Sequence, residues 1–301
     1  MRYVTPTAFR AALEARLRTE AQTNNVAFER LRKMVVFDRF LARLVAVAPG
    51  RWILKGGLAL DYRLGYRART TRDIDLGCQD TEEGAAADLR AAQAFDAGDY
   101  FVFVVTRTDR LEGTAAVDGA VRFHIDAELA GRRFDTVMLD IGFGDPELFA
   151  PTLLSPPPLL AFADIETPQI PVVPLEQHVA EKVHAYTRQY RGGGSTRIKD
   201  LVDLVLLLEH ETFTARRLRH ALDATFEVRG THDLPDAFPP PPNTWRTPFA
   251  RLAGEVGVAP DLDAAHGRVA AFLNPVLSGQ VIEAAWDNHA EVWNVRPVNA
   301  N

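Results

Sequence analysis

The chain has 301 residues, of which 47% are hydrophobic and 25% are charged, and its formal net charge is −6. These values predict two ordinary globular domains and exclude a protein that coats nucleic acid by bulk charge. The single cysteine, Cys78, excludes an internal disulfide framework and fits a reducing compartment. We find no secretory signal and no apolar run of membrane-spanning length, so we expect a cytoplasmic protein without a membrane partner.

The N-terminal half mixes predicted helices and strands. Apolar positions recur at helical spacing over residues 6–20 and 26–46, and LKGGLALDYRLGY predicts a turn that leads into a short helix. Four strands are predicted over DIDLGC, YFVFVVTR, VRFHIDAEL and FDTVMLDIGF, which are rich in β-branched and aromatic residues. The alanine-rich TEEGAAADLRAAQAF, between the first two strands, predicts a helix. This order indicates a small mixed sheet with helices on one side.

Proline clusters in SPPPLL and TPQIPVVP lead into a second half that is predicted to be helical. Helices are expected over LEQHVAEKVHAYTRQY, broken after Tyr190 by RGGGS, over IKDLVDLVLLLEH, and over TARRLRHALDATFEVRG, which ends on a glycine cap. FPPPPNTW predicts a stiff, extended connector before two or three further helices. We therefore predict an α+β protein with a mixed domain over residues 1–165 and a helical domain over residues 166–301.

Two aspartates, Asp73 and Asp75, flank Ile74 in the first predicted strand. Residues two apart on a strand face the same side, so both carboxylates project together while Ile74 points to the core. Two close carboxylates repel each other unless a cation lies between them, and a hard divalent cation such as Mg²⁺ prefers oxygen ligands. Taken alone, the pattern also fits one aspartate at the surface and the other capping a turn. As a metal site, it suggests a metal-dependent glycosyltransferase equally well.

The surrounding residues favour phosphate chemistry. Gly56 and Gly57 precede a predicted helix, and glycine lets backbone N–H groups approach a phosphate closely. Cations near them in the sequence are able to neutralise a triphosphate: Lys55, Arg67, Arg69 and Arg72.

A third carboxylate is expected from a neighbouring strand. Asp140 lies late in an apolar strand, where a charge is costly unless it is paired or metal-bound, and Asp126 is a competing candidate in the strand before. Three carboxylates beside a glycine pair are the components of metal-assisted phosphoryl or nucleotidyl transfer.

The run from Lys55 to Gly77 resembles the signature of the DNA polymerase β-like nucleotidyltransferases, and more narrowly that of the AbiEii family, toxins of type IV toxin–antitoxin and phage-defence systems. The matching positions are Lys55, Gly56, Gly57, Arg69, Thr71, Asp73 and Asp75. Two helical motifs resemble those of the family, matched by Glu181, Lys182, Ala185 and Arg188 and by Lys199, Asp200 and Asp203. The resemblance implies a polymerase β-like nucleotidyltransferase core followed by a mostly α-helical domain that completes the active site and substrate cleft.

The resemblance also implies the reaction. The family transfers NMP from an NTP to an acceptor hydroxyl. The resemblance implies one or two Mg²⁺ ions in this reaction, with Mn²⁺ as a substitute. The expected acceptor is the 3′ end of tRNA, whose modification blocks translation and growth under the control of an antitoxin encoded nearby.

The implied roles fall into three groups. The catalytic residues are Asp73, Asp75, Lys182 and Asp200. The nucleotide-binding residues are Lys55, Gly56, Gly57, Arg69, Thr71 and Asp203. The metal ligands are Asp73, Asp75 and Asp140. Lys182 is expected to contact the nucleotide phosphates, and Asp200 to hold that lysine or a metal, or to act as the base.

Other readings stay open. In one alternative, the nucleotidyl group is transferred to a small molecule or to a protein. In the other, the chain is not catalytic and binds a nucleotide as the partner of another protein. The basic clusters YTRQYRGGGSTRIK and ARRLRH fit an RNA path and, equally, ordinary surface charge. Thr71 lies two residues before Asp73, so its phosphorylation would place negative charge at the triphosphate site and inactivate the protein.

Overall fold

The computed structural model describes residues 1–111, 119–145, 148–188 and 197–295. Their coordinates divide into two units. The first unit comprises the described parts of Met1–Tyr66, Thr70–Asp145 and Pro151–Val173. The second comprises those of Arg67–Arg69, Pro146–Ala150 and Pro174–Asn301. The helix break predicted after Tyr190, with its RGGGS sequence, falls outside the described residues.

The helices of the first unit are α1 (Pro6–Asn24), α2 (Phe28–Val47), α3 (Gly56–Leu64) and α4 (Glu82–Ala94). The side chain of Thr5 accepts a hydrogen bond from the Ala8 N–H and so caps α1. Thr81 caps α4 in the same way, and the first turn of α4 is acidic, which offsets the helix dipole. These bounds confirm the helices predicted in this half of the sequence.

The first unit contains a sheet of seven strands: β1 (Trp52–Lys55), β2 (Asp73–Cys78), β3 (Phe101–Leu111), β4 (Ala120–Leu129), β5 (Arg132–Phe143), β6 (Thr152–Leu154) and β7 (Ile170–Val172). The strand order is β3-β4-β5-β2-β1-β7-β6. β2 runs parallel to β5 and β1 runs parallel to β7, whereas the other neighbours are antiparallel. The fold is therefore α+β with a mixed sheet, as predicted.

The sequence pattern predicts β2, β3, β4 and β5 but misses the other three strands. All four residues of β1 are buried, so β1 lacks the alternation of a half-exposed strand. β6 and β7 have three residues each, too few for a recognisable period.

Aromatic residues join the helices to one face of the sheet. Phe40 of α2 packs on Phe103 of β3 with ring centroids 5.3 Å apart, and Phe9 of α1 meets Phe101 edge-on at 6.4 Å. Along β4, buried residues alternate with half-buried ones. The half-buried set projects from the sheet face opposite the core, which is where the candidate site lies.

The second unit contains α5 (Leu175–Thr187), α6 (Ile198–His210), α7 (Ala215–Arg229), α8 (Arg246–Glu255) and α9 (Leu262–Leu277). Gly230 ends α7 in a left-handed conformation with φ of 53°, as its sequence predicts. The chain then forms a hairpin of β8 (Ala284–Asp287) and β9 (Val292–Val295), which the sequence pattern does not predict. Within the described ranges, no helix combines the length and the apolar character needed to cross a bilayer.

Candidate active site

The two aspartates of the D-x-D pattern lie at the start of β2. Asp73 and Asp75 are half-buried, and Ile74 between them is fully buried. The side-chain alternation of a strand thus places the two carboxylates on the face opposite the core, as the sequence predicts.

Asp140 joins these two aspartates through the parallel pairing of β2 with β5, in which it lies directly beside Asp75. Each of Asp73, Asp75 and Asp140 offers one carboxylate oxygen, and the three oxygens lie within 4.8 Å of one another. We call these three residues the acidic triad. Three half-buried carboxylates at this spacing suit a hard divalent cation, so the donor set fits the metal that the sequence predicts.

Asp126, the competing candidate, lies apart from the triad. On β4 it faces Thr136, whereas Arg122 faces Asp140, so Asp126 is four residues further along the strand. Four residues span roughly 13 Å in a strand, too far for a shared ion. Asp126 instead lies 4.0 Å from Arg133.

Arg122 is a site residue that the sequence analysis missed. Its Nε and one terminal guanidinium nitrogen each donate to an Asp140 oxygen, both at 2.6 Å. This two-pronged bond, together with the negative charge of Asp140, Asp73 and Asp75, outweighs desolvation and raises the pKa of Arg122 above its ordinary value. The alternation in VRFHIDAEL places Arg122 on the polar face of β4, but only the strand register shows that it lies opposite Asp140.

The glycine pair opens α3 directly beside the acidic triad. Gly56 has φ of 60°, and a Cβ atom there would lie 1.8 Å from Oδ2 of Asp75. Glycine is therefore required at position 56 by the backbone conformation and by the close approach of a triad carboxylate. Gly57 is buried in the first turn of α3.

Lys55, the last residue of β1, is buried, and its Nζ lies 2.6 Å from Oδ2 of Asp145. The aliphatic part of its side chain passes over Gly77, whose missing side chain leaves the space. Asp145 follows β5 and was not singled out from the sequence. The charge of this buried lysine is therefore balanced by the Asp145 carboxylate rather than by hydration.

Thr71 lies just before β2 and is buried, with 6% of its surface exposed. Its Oγ1 donates to Oδ1 of Asp73 at 2.8 Å. The hydroxyl therefore orients a triad carboxylate.

The second unit holds the other predicted site residues in one buried ionic cluster. Lys182 of α5 lies 2.7 Å from Asp203 and 3.3 Å from Asp200, both on α6. Arg69 donates through two nitrogens to the two oxygens of Asp203, at 2.9 and 3.0 Å. Asp203 is fully buried and pairs with both cations, so it holds the side chains of Lys182 and Arg69 in place.

Burial and charge oppose each other within this cluster. Burial raises the pKa of Asp203, but Lys182 and Arg69 outweigh burial and hold that pKa below its usual value. Burial lowers the pKa of Lys182, but Asp203 and Asp200 outweigh it and raise that pKa. Both groups are therefore charged at neutral pH.

The two other arginines of the predicted phosphate-binding run, Arg67 and Arg72, are exposed. The basic cluster ARRLRH carries less net charge than its sequence indicates, because each of its arginines has an acidic partner. These ion pairs are Arg216–Glu283, Arg217–Glu176 and Arg219–Asp223. The basic run YTRQYRGGGSTRIK falls largely on residues 189–196, outside the described part of the chain.

A mixed sheet that carries three clustered carboxylates beside a glycine-opened helix is the arrangement of a nucleotidyltransferase. The chain belongs to the AbiEii family: the family model described as "Nucleotidyl transferase AbiEii toxin, Type IV TA system" matches residues 39–285. The protein is thus a nucleotidyltransferase toxin of a type IV toxin–antitoxin system. Its family also implies an NTP substrate and a cognate antitoxin.

The fold is shared with the solved structure of MenT4. The chain is similar to MenT4, a nucleotidyltransferase toxin of Mycobacterium tuberculosis H37Rv, with 21% identity, a TM-score of 0.54, and coverage of 90% of this chain and 98% of MenT4. It is also similar to JHP933 of Helicobacter pylori, with 15% identity, a TM-score of 0.47, and coverage of 84% and 95%. A comparison with curated proteins found no match.

Proposed function

We propose that the protein transfers NMP from an NTP to the 3′-terminal hydroxyl of tRNA in a Mg²⁺-dependent reaction. The observation that carries this proposal is the acidic triad, with ligand oxygens within 4.8 Å of one another, in a chain of the AbiEii family. Asp73, Asp75 and Asp140 would hold the metal, with Mn²⁺ as a substitute for Mg²⁺. When bound, the cation supplies positive charge to the triphosphate and lowers the pKa of the acceptor hydroxyl.

The remaining chemistry falls to the chain's own residues. The acceptor oxygen attacks the α-phosphorus, the bond from that phosphorus to the bridging oxygen breaks, and pyrophosphate leaves. The hydroxyl proton passes to a carboxylate, for which Asp140 and Asp200 are the candidates. Gly56 and Gly57 would present backbone N–H groups to the phosphates.

Cations are required to offset the charge of the triphosphate, and we assign this role to Lys55, Arg69 and Lys182. Each of them is already paired with an aspartate, Lys55 with Asp145 and the other two with Asp203. These pairs fix the three side chains before substrate binds, so that little reorganisation is needed during the reaction.

The tRNA 3′ end suits a toxin because its terminal hydroxyl must be free for aminoacylation. A nucleotide added there stops translation at its first step. We propose that this reaction occurs in the cytoplasm, under an antitoxin encoded nearby, as a defence against phage. We also propose that residues 1–165 act as the nucleotidyltransferase domain and residues 166–301 as the helical domain that completes the active site.

The test is to incubate the protein with Mg²⁺, total tRNA and each α-labelled NTP in turn, and to resolve the RNA on a denaturing gel. Label entering tRNA with wild-type protein, and not with Asp75→Ala, is the expected result. Asp126→Ala is the matched control, because it removes a carboxylate from the same sheet face outside the triad, and it should label normally.

Other outcomes distinguish the alternatives. Label transferred to a small molecule or to protein, with none in tRNA, would keep the reaction class and refute the acceptor. NTP binding without turnover on any acceptor would indicate a non-catalytic nucleotide-binding partner and overturn the proposal.

A further inference from the structure

Four charged residues form one row across the sheet. Arg122 on β4 faces Asp140 on β5, Asp140 faces Asp75 on β2, and Asp75 faces Lys55 on β1. The order along this row is cation, carboxylate, carboxylate, cation. Two triad members are thus flanked by basic residues of the neighbouring strands.

Arg122 bonds both oxygens of Asp140, one of which is the oxygen that Asp140 offers to a metal ion. Both Asp140 oxygens accept from the guanidinium at 2.6 Å, and the pair is only partly exposed, with 31% of the Arg122 side chain and 18% of the Asp140 side chain accessible. A guanidinium bonded to both oxygens uses one lone pair of each, which leaves a metal ion fewer directions from which to bind the carboxylate. A divalent cation beside Asp140 would also be repelled by the positive charge of Arg122.

We propose that Arg122 is a positioning residue that holds Asp140 and competes with the metal for its oxygens, and so sets the affinity of the acidic triad for a divalent cation. The inference rests on the metal role proposed above for the triad. Without metal, Arg122 supplies the positive charge that keeps the three carboxylates together. On metal binding, the guanidinium gives up at least part of its hold on Asp140.

The alternative is that Arg122 only stabilises the pairing of β4 with β5. Its removal would then reduce stability and leave metal affinity unchanged. Our proposal also predicts that the metal-free protein becomes less stable, because the carboxylates lose their cation, but it predicts in addition that the affinity for metal increases.

The experiment titrates the full-length protein with Mn²⁺ alone, without nucleotide or RNA, and measures binding by calorimetry. Arg122→Ala should bind Mn²⁺ about tenfold more tightly than wild type, which corresponds to roughly 1.4 kcal/mol. Arg122→Lys keeps the charge but cannot make the two-pronged bond, so it should show a smaller gain. Arg133→Ala is the control: Arg133 lies on β5 and pairs with Asp126 of β4, outside the triad. This variant should bind Mn²⁺ with the affinity of wild type.

Thermal unfolding supplies a second measurement. Arg122→Ala should unfold at a lower temperature than wild type without metal, and saturating Mn²⁺ should raise its midpoint by more than it raises that of wild type. If Arg122→Ala does not fold, the wild-type and Arg122→Lys affinities decide the question.

The outcomes separate the two proposals. No Mn²⁺ binding by wild type would overturn both the metal role of the triad and the role of Arg122. Mn²⁺ binding by wild type, with equal or weaker binding by the Arg122 variants, would overturn the role of Arg122 alone.

Discussion

Gly56 and Asp75 approach each other so closely that a Cβ atom at position 56 would lie 1.8 Å from the Asp75 carboxylate. The start of α3 therefore packs directly against a predicted metal ligand on β2. The glycine pair contributes more than backbone freedom for phosphate binding, because it also makes room for the carboxylate.

Replacement of Gly56 by alanine should abolish nucleotidyl transfer. The new Cβ would displace Asp75, and the left-handed backbone would add roughly 1–3 kcal/mol of strain. Gly65→Ala is the matched control, since Gly65 has a similar φ of 61° but nothing within 4 Å of its Cβ position. Gly65→Ala should lose a comparable amount of stability and keep its activity in the labelling assay. Normal labelling by Gly56→Ala would contradict the close-approach argument.

Asp203→Asn should destabilise the protein by about 3–5 kcal/mol at pH 7, because the change leaves the buried cations Lys182 and Arg69 without their shared anion. Urea unfolding of variant and wild type measures the difference. Asp223→Asn serves as the control: its carboxylate pairs with Arg219 at an exposed position, where the loss should be about 0–1 kcal/mol. Equal effects of the two changes would refute the buried-cluster interpretation.

The pH dependence of stability should follow from the same cluster. The folded-state pKa of Asp203 is lowered, so its contribution is present above the unfolded value of 3.8 and is lost as pH falls through the folded value. The folded-state pKa of Lys182 is raised, so its contribution is present below the unfolded value of 10.5 and is lost as pH rises through the folded value. The stability gap between wild type and Asp203→Asn should therefore be widest between about pH 4 and pH 10. A gap that widens with acid below this range would contradict these directions.

Thr71→Glu should inactivate the enzyme. Its carboxylate would replace a hydroxyl that donates to Asp73 at 2.8 Å, and it would add negative charge where the triphosphate is expected. Thr71→Ser keeps the donor and should retain most of the transfer activity. The labelling assay with both variants checks this, and undiminished activity of Thr71→Glu would remove Thr71 as a candidate for control by phosphorylation.

The Lys55–Asp145 pair should behave as a buried ion pair. Lys55→Met and Asp145→Asn should each cost about 3–5 kcal/mol, and the double variant should cost less than their sum. Arg110→Met removes an exposed pair with Glu82 and should change the unfolding free energy by about 0–1 kcal/mol. Strict additivity of the Lys55 and Asp145 changes in urea unfolding would show that the two side chains are not coupled.

Local pattern in the sequence was sufficient for much of the fold. The period-2 alternation around Ile74 placed Asp73 and Asp75 together, the helical spacing located α1 and α2, and the glycine after α7 marked its end. Such features depend on neighbours within a few residues, so the sequence alone determines them. The short, fully buried β1 and the β8–β9 hairpin do not have a pattern of this kind.

Tertiary structure decided what the sequence left open. The parallel register of β2 with β5 places Asp140 rather than Asp126 beside Asp75, and the register of β4 with β5 places Arg122 on Asp140. Arg69 and Asp203 are 134 residues apart, yet they form a two-pronged pair. The turn at residues 130–131 fixes the register of the β4–β5 hairpin locally, whereas the pairing of β2 with β5 and the packing of distant segments depend on the burial of the whole core.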